Sequence, residues 1–359
     1  MKILHVITSL QTGGAETLVV NLIPRFHALG HDVGLVVFNG EQTALMKRLE
    51  KECPECKIYR LGTSYYNPCY IWKLCGIMRK YDIVHTHNSS PQLYAAIANV
   101  FCHKKLVTTE HSTNNRKREK GGLLRMMDKC MYRKYDKVIC ISEIAEIKLR
   151  EYLAIGQKDF NDNICTIPNG VDVEAFHHAT PLADMNSSKF VIVMVAGFRE
   201  AKDQDTVINA MAKLPKGLYE LWLVGDGVRV ESLKFKVESL KLDDSVKFLG
   251  LRTDVANILK TADVVVMSSH WEGLSLSNIE GMAAGKPFVA SNVNGLREVT
   301  DGYGILFPHE DAEALANIIQ KLHDDTELYN RIAEKCYERA RQFDIEKMVA
   351  QYDTVYLSC

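Results

Sequence analysis

Residues 270–291, HWEGLSLSNIEGMAAGKPFVAS, carry a pair of carboxylates at a spacing that suits a ligand with a charged centre. Glu272 lies in a polar turn, and Gly273-Leu274-Ser275 leads from it into a helix. A hydroxyl near Ser275 can cap free N–H groups. Leu276, Ile279 and Ala283 recur at helical spacing, so one face packs on a sheet. Gly285 and Pro287 end the helix, since Gly accepts the left-handed end and Pro cannot continue it. Apolar runs at 263–267 and 288–290 bracket the segment as strands. The helix start, rich in unpaired N–H groups, thus lies at the carboxyl end of a strand, where open α/β sheets bind anions such as diphosphates. Glu280 falls in the second helical turn. Carboxylates on both sides of an anion site fit a nucleotide-sugar: sugar, diphosphate, ribose. The bland alternative is two solvated glutamates on a surface helix; the flanking strands and the Gly-rich helix weigh against it.

Glu272, seven residues, Glu280 and then Gly-Met-Ala-Ala-Gly-Lys-Pro resembles the paired-glutamate motif of family four retaining glycosyltransferases. The resemblance implies that Glu272 contacts donor sugar hydroxyls, that Glu280 contacts ribose, and that Gly273, Leu274 and Ser275 bind donor. It extends over nearly the whole chain, most strongly at 190–307.

Other candidates follow from strand ends. The loop GFREAKD after the apolar run 190–196 offers two cations, Arg199 and Lys202, to a diphosphate leaving group. The family places an Arg and a Lys here; Lys202 aligns, whereas the Arg position falls on Gly197, with Arg199 as the substitute. Asp203-Gln-Asp205 matches a metal-binding D-x-D on paper but stands where helix-start acids are expected. In the first half, TGGAE places a Gly pair before a helix. Its spacing is not that of the dinucleotide fingerprint, which argues against NAD. The resemblance puts Gly14 beside the donor phosphates. His111, after the apolar run 105–109, resembles the family histidine that reaches the transferred sugar; a surface loop histidine is the ordinary alternative. His85 and His87 share a strand face and could chelate a metal, although lining an edge or satisfying backbone groups is commoner. Gly225-Asp226-Gly227 resembles a family loop near the donor. Arg252 stands where the family packs the nucleobase.

These loops need elements to hold them. Apolar runs at 3–7, 33–38, 57–61, 83–86, 105–109 and 137–141, then at 190–196, 221–224, 246–249, 263–267, 288–290 and 304–307, alternate with helical stretches. That alternation implies parallel, doubly wound sheets. The polar segment 176–189 reads as the boundary. The expectation is an α/β chain of GT-B type: a Rossmann-like acceptor-side domain over 1–178, joined by an amphipathic terminal helix at 343–359 that crosses back, and a Rossmann-like nucleotide-sugar domain over 186–341. The resemblance implies that the two face a cleft.

At 359 residues the chain is long for one core. A net charge of −1 supplies no basic field for nucleic acid. The start, MKILHVITSL, turns polar too soon for a signal peptide and reads as a first strand. No apolar run reaches spanning length. Ten cysteines, several in apolar runs, suit a reducing, cytoplasmic setting. Cys53-Pro-Glu-Cys56 lacks the second pair that a zinc site wants. Residues 114–137 hold nine Lys/Arg against three Asp/Glu, interleaved with Leu and Met. Such a basic amphipathic stretch suits the anionic inner face of the cytoplasmic membrane; an ordinary solvated helix is the alternative.

The reading is a metal-independent, retaining hexosyltransferase without cofactor. It would move sugar from a UDP- or GDP-linked donor to a glycan or lipid-linked acceptor in bacterial surface polysaccharide synthesis. Lys202, Arg199, His111 and Glu272 form its catalytic set. The rivals are a GT-B sugar-nucleotide epimerase, which needs no acceptor, and a non-catalytic nucleotide-sugar-binding protein.

Overall fold

The computed structural model describes residues 1–11, 13–111, 122–153, 163–185, 188–272 and 276–359. Two compact units result, one of residues 1–169 with 346–359 and one of residues 170–345.

The first unit is built on a parallel sheet of β1 (Lys2–Ile7), β2 (Asp32–Asn39), β3 (Lys57–Gly62), β4 (Ile83–His87), β5 (Lys105–Glu110), β6 (Lys137–Cys140) and β7 (Ile164–Thr166). Its order is β3-β2-β1-β4-β5-β6-β7. The second sheet comprises β8 (Phe190–Val195), β9 (Tyr219–Val224), β10 (Val246–Gly250), β11 (Val264–Met267), β12 (Phe288–Ser291) and β13 (Ile305–Phe307). Its order is β10-β9-β8-β11-β12-β13, again all parallel. Continuous apolar runs such as FVIVMV form these strands because helices cover both faces and no position need be polar. The alternation of strands and helices read from the chain is therefore correct in both halves.

The helix Ile345–Leu357 ends the chain, and from Glu346 on it belongs to the first unit. Arg25 holds Glu346 at 2.7 Å and His31 holds Asp353 at 2.8 Å, while Tyr352 and Tyr356 are buried. Residues 170–178, read above with the first domain, group with the second. Val171 N–H bonds the Phe343 carbonyl, and the His177 ring stacks on Tyr337 at 3.8 Å. Of the basic stretch, Leu123–Tyr132 is a helix with Met126 and Met127 exposed; residues 114–121 lie outside the described residues. Among the described residues no helix is long and apolar enough to cross a membrane. The ten cysteines are free thiols.

Candidate active site

In each sheet the strand order reverses once, between β1 and β4 and between β8 and β11. Loops leaving the carboxyl ends of those strands diverge to opposite sides and leave a crevice, the place where open α/β sheets bind ligands. The loops after β8 and β11 carry Lys202 and Glu272. Topology thus brings together two side chains that the sequence keeps far apart.

Their contact is direct. Lys202 Nζ pairs with Glu272 Oε1, and Ser269 Oγ donates to the same oxygen at 2.7 Å. Both side chains are largely enclosed, 22% and 9% exposed, so Glu272 is not a solvated surface glutamate. Ser268 Oγ donates to the Asp203 carbonyl at 2.6 Å and His270 N–H to the Ala201 carbonyl at 2.9 Å, which stitches the two loops into one wall. Asp203 has φ 46 and caps the helix Gln204–Met211, its carboxylate accepting from Thr206 N–H. Asp205 is held by Arg229 at 2.6 Å and Lys236 at 2.9 Å. Both carboxylates of the D-x-D are thus engaged within the fold.

Arg199 is exposed, and its guanidinium makes no ion pair or hydrogen bond among the described residues. A Cβ placed on Gly197 would sit 3.9 Å from Arg199 Nε and 3.8 Å from the Asp226 carbonyl, an ordinary contact. Position 197 therefore has room for a side chain, and Arg199 runs beside that room. Gly225 has φ +140, and a Cβ there would meet the Ala196 carbonyl at 2.1 Å, so this glycine lets two loops touch backbone to backbone. Arg252 follows β10 and is clamped to Asp254 at 2.8 and 2.6 Å.

The helix Leu276–Ala283 carries Glu280 in its second turn, partly exposed, while Leu276, Ile279 and Ala283 are buried as the spacing requires. Gly281 lies against the sheet, where a Cβ would meet Val265 Cγ1 at 2.8 Å and Phe288 Cδ2 at 3.0 Å. Gly273, Leu274 and Ser275 lie outside the described residues.

In the first unit, Gly14 opens the helix Gly14–Ala28 after β1, and among the described residues nothing lies within 4 Å of where its Cβ would stand. His111 follows β5 and is partly exposed; its Nε2 meets His87 Nδ1 at 3.0 Å. His85 and His87 are fully buried. Lining an edge or satisfying backbone groups is the commoner use expected of them; among the described residues their partners are side chains instead. His85 bonds Tyr356 OH at 2.5 Å and Thr109 Oγ1 at 2.8 Å, and His87 Nε2 meets His5 Nδ1 at 3.1 Å. Desolvation holds His5 down at about 3 and His111 at about 4, so both are neutral near pH 7. His5 escaped the sequence reading because only strand register sets it beside His85.

Among the described residues two groups have metal-ligand spacing: buried His5, His85 and His87, and the more exposed His270, His309 and Glu310. Neither includes Cys53 or Cys56, whose buried thiols are shifted upward, Cys56 to about 12.

A family model described as Glycosyltransferase Family 4 matches residues 12–175, and one described as Glycosyl transferases group 1 matches residues 183–339. The chain belongs to the family 4 glycosyltransferases. This glycosyltransferase is 26% identical to N-acetyl-alpha-D-glucosaminyl L-malate synthase of Bacillus anthracis, over 96% of this chain and 93% of that protein. It is 29% identical to UDP-Gal:alpha-D-GlcNAc-diphosphoundecaprenol alpha-1,3-galactosyltransferase of Escherichia coli, over 77% and 76%. Its fold matches HepE of Anabaena in complex with UDP at a TM-score of 0.85, with 22% identity over the full length of both chains. The glycosyltransferase thus has the GT-B architecture of two parallel-sheet α/β domains.

Proposed function

We propose that this glycosyltransferase moves a hexose-type sugar from a nucleoside diphosphate to a hydroxyl of a lipid-linked or oligosaccharide acceptor, with retention at the anomeric carbon and without a metal. The observation that carries the reading is the Lys202–Glu272 pair at the switch point of the second sheet. Rupture of the bond from the anomeric carbon to phosphate leaves negative charge on the diphosphate. A cation fixed in an enclosed wall stabilises that charge without having to reorganise. Lys202 is fixed by Glu272, and Arg199 adds a second cation from the same loop. The acceptor hydroxyl attacks on the face that the phosphate leaves. Its oxygen bonds the anomeric carbon, and its proton passes to the departing phosphate oxygen.

The remaining roles rest on the paired-glutamate motif. Glu280 holds ribose, Glu272 the sugar hydroxyls, and Gly273, Leu274 and Ser275 the diphosphate. Arg252, after β10, is assigned to the nucleobase side. From the first unit, Gly14 is assigned to donor phosphates and His111 to the transferred sugar. Uridine is the favoured base, because structures of similar fold are described with UDP and with UDP-glucose. Surface polysaccharide synthesis at the inner face of the cytoplasmic membrane is the setting in this reading, supported by relatives named for O-antigen biosynthesis and for transfer to a diphosphoundecaprenol-linked sugar. The basic helix Leu123–Tyr132 and the residues before it supply the membrane contact in this reading.

A donor screen tests it. UDP- and GDP-sugars are offered with undecaprenyl diphosphate-sugar acceptors, and nucleoside diphosphate release and the product's anomeric coupling constant are measured. Transfer with an axial product from an axial donor is expected. An inverted product would refute retention, and epimerised donor in the absence of acceptor would refute transfer.

A further inference from the structure

Three histidines form a hydrogen-bonded row across the carboxyl edge of the first sheet. His5 lies on β1, His87 at the end of β4, and His111 just after β5. His5 Nδ1 meets His87 Nε2 at 3.1 Å, and His87 Nδ1 meets His111 Nε2 at 3.0 Å. His5 Nε2, at the inner end, is buried without a partner among the described residues, with the apolar ring of Phe26 stacked 5.9 Å away. His85 packs on His87 at 4.3 Å but stands outside the row, since both its nitrogens are taken by Tyr356 and Thr109.

A neutral imidazole has one N–H and one lone pair. Each contact in the row needs one of each, so the three rings must share one polarity. If His111 donates inward from Nε2, the row ends on an N–H at His5 Nε2 buried against apolar atoms. If His5 donates outward, the row ends there on a bare lone pair. Buried orphan N–H groups are the rarer of the two. Desolvation keeps His5, His87 and His111 from charging, so a protonated member does not break the pattern.

We propose that His5 and His87 are positioning residues that set the tautomer of His111, so that its Nδ1 carries the proton and is presented as a neutral donor to an oxygen of the ligand. The inference rests on the assignment of His111 to the donor sugar, but the tautomer is measurable without any substrate.

The full chain, labelled with 15N-histidine, is examined by long-range 1H–15N correlation at pH 7.5, with signals assigned from His5→Phe, His87→Leu and His111→Ala. His111 should show a protonated Nδ1 and a bare Nε2. In His87→Leu it should shift toward the Nε2–H form that free imidazole favours. A wild-type His111 protonated at Nε2, or one that ignores His87→Leu, overturns the proposal, as does a stoichiometric metal on these rings. Should His87→Leu not fold, His87→Phe must produce the same shift. With a working donor, His87→Leu and His111→Ala should each lower transfer about tenfold, the worth of one hydrogen bond, and the double variant should be no slower than His111→Ala. Additive losses would show that His87 does not act through His111. Absence of any transfer would sink the proposed reaction and leave the tautomer result intact.

Discussion

Lys202 and Glu272 are joined by an ion pair across seventy residues of chain, at the point where the second sheet reverses its strand order. Ser269 shares the Glu272 oxygen at 2.7 Å. A carboxylate held in this way anchors the ammonium between the two loops.

Replacing Lys202 by Ala should lower turnover by about 10²–10³-fold, the loss seen when one fixed stabiliser of developing charge is removed. Glu272→Gln should fall as well, since the amide keeps shape and loses the charge that holds Lys202. Initial rates of nucleoside diphosphate release measure both. A Lys202→Ala rate within a few-fold of wild type would refute the leaving-group role.

Arg199 can be tested by moving its charge. Arg199→Ala should slow transfer by about tenfold or more, and Gly197→Arg added to it should recover part of the loss, because position 197 has open room for a side chain. Lack of recovery in a folded double variant would separate the two positions.

Chelation with EDTA should leave transfer unchanged. Asp203 caps a helix and Asp205 is bound by Arg229 and Lys236, whose charges and hydrogen bonds hold its pKa below the usual range despite partial burial. Asp205→Asn should therefore lower the urea midpoint while donor affinity is kept. Activity lost to EDTA and restored by a divalent ion would reverse this reading.

Gly281→Ala should destabilise the second unit by about 1–3 kcal/mol, the usual cost of overpacking. Its Cβ would enter the space of Val265 and Phe288, both buried. Urea denaturation gives the value, and an unchanged midpoint would mean that the helix backs off freely.

Stability should fall with acid from pH 6.5 downward. His5 is neutral when folded, its pKa held at about 3 by burial, and takes a proton near pH 6.5 when unfolded. The unfolded state then binds more protons, so this contribution is complete above pH 6.5 and drains as pH falls toward 3. By pH 5 it amounts to about 2 kcal/mol lost. Denaturation at pH 7.5 and 5.0 should show the drop, and His5→Phe should make it shallower. His85 and His87 are shifted the same way, so part of the slope persists in that variant.

Local pattern alone determined the strands, the helix Leu276–Ala283 and the place of Asp203 among helix-start acids, because burial on both faces, helical spacing and helix-start chemistry are written in neighbouring residues. It also marked Glu272, Lys202 and His111 as strand-end residues. Only the tertiary structure decided which strand ends meet. Strand order sets β8 beside β11, and with it Lys202 against Glu272; register sets His5 beside His85 and within reach of His87. Pairing between distant segments depends on which sheets and helices can close together, and that information is spread over the whole chain rather than carried by the residues that it joins.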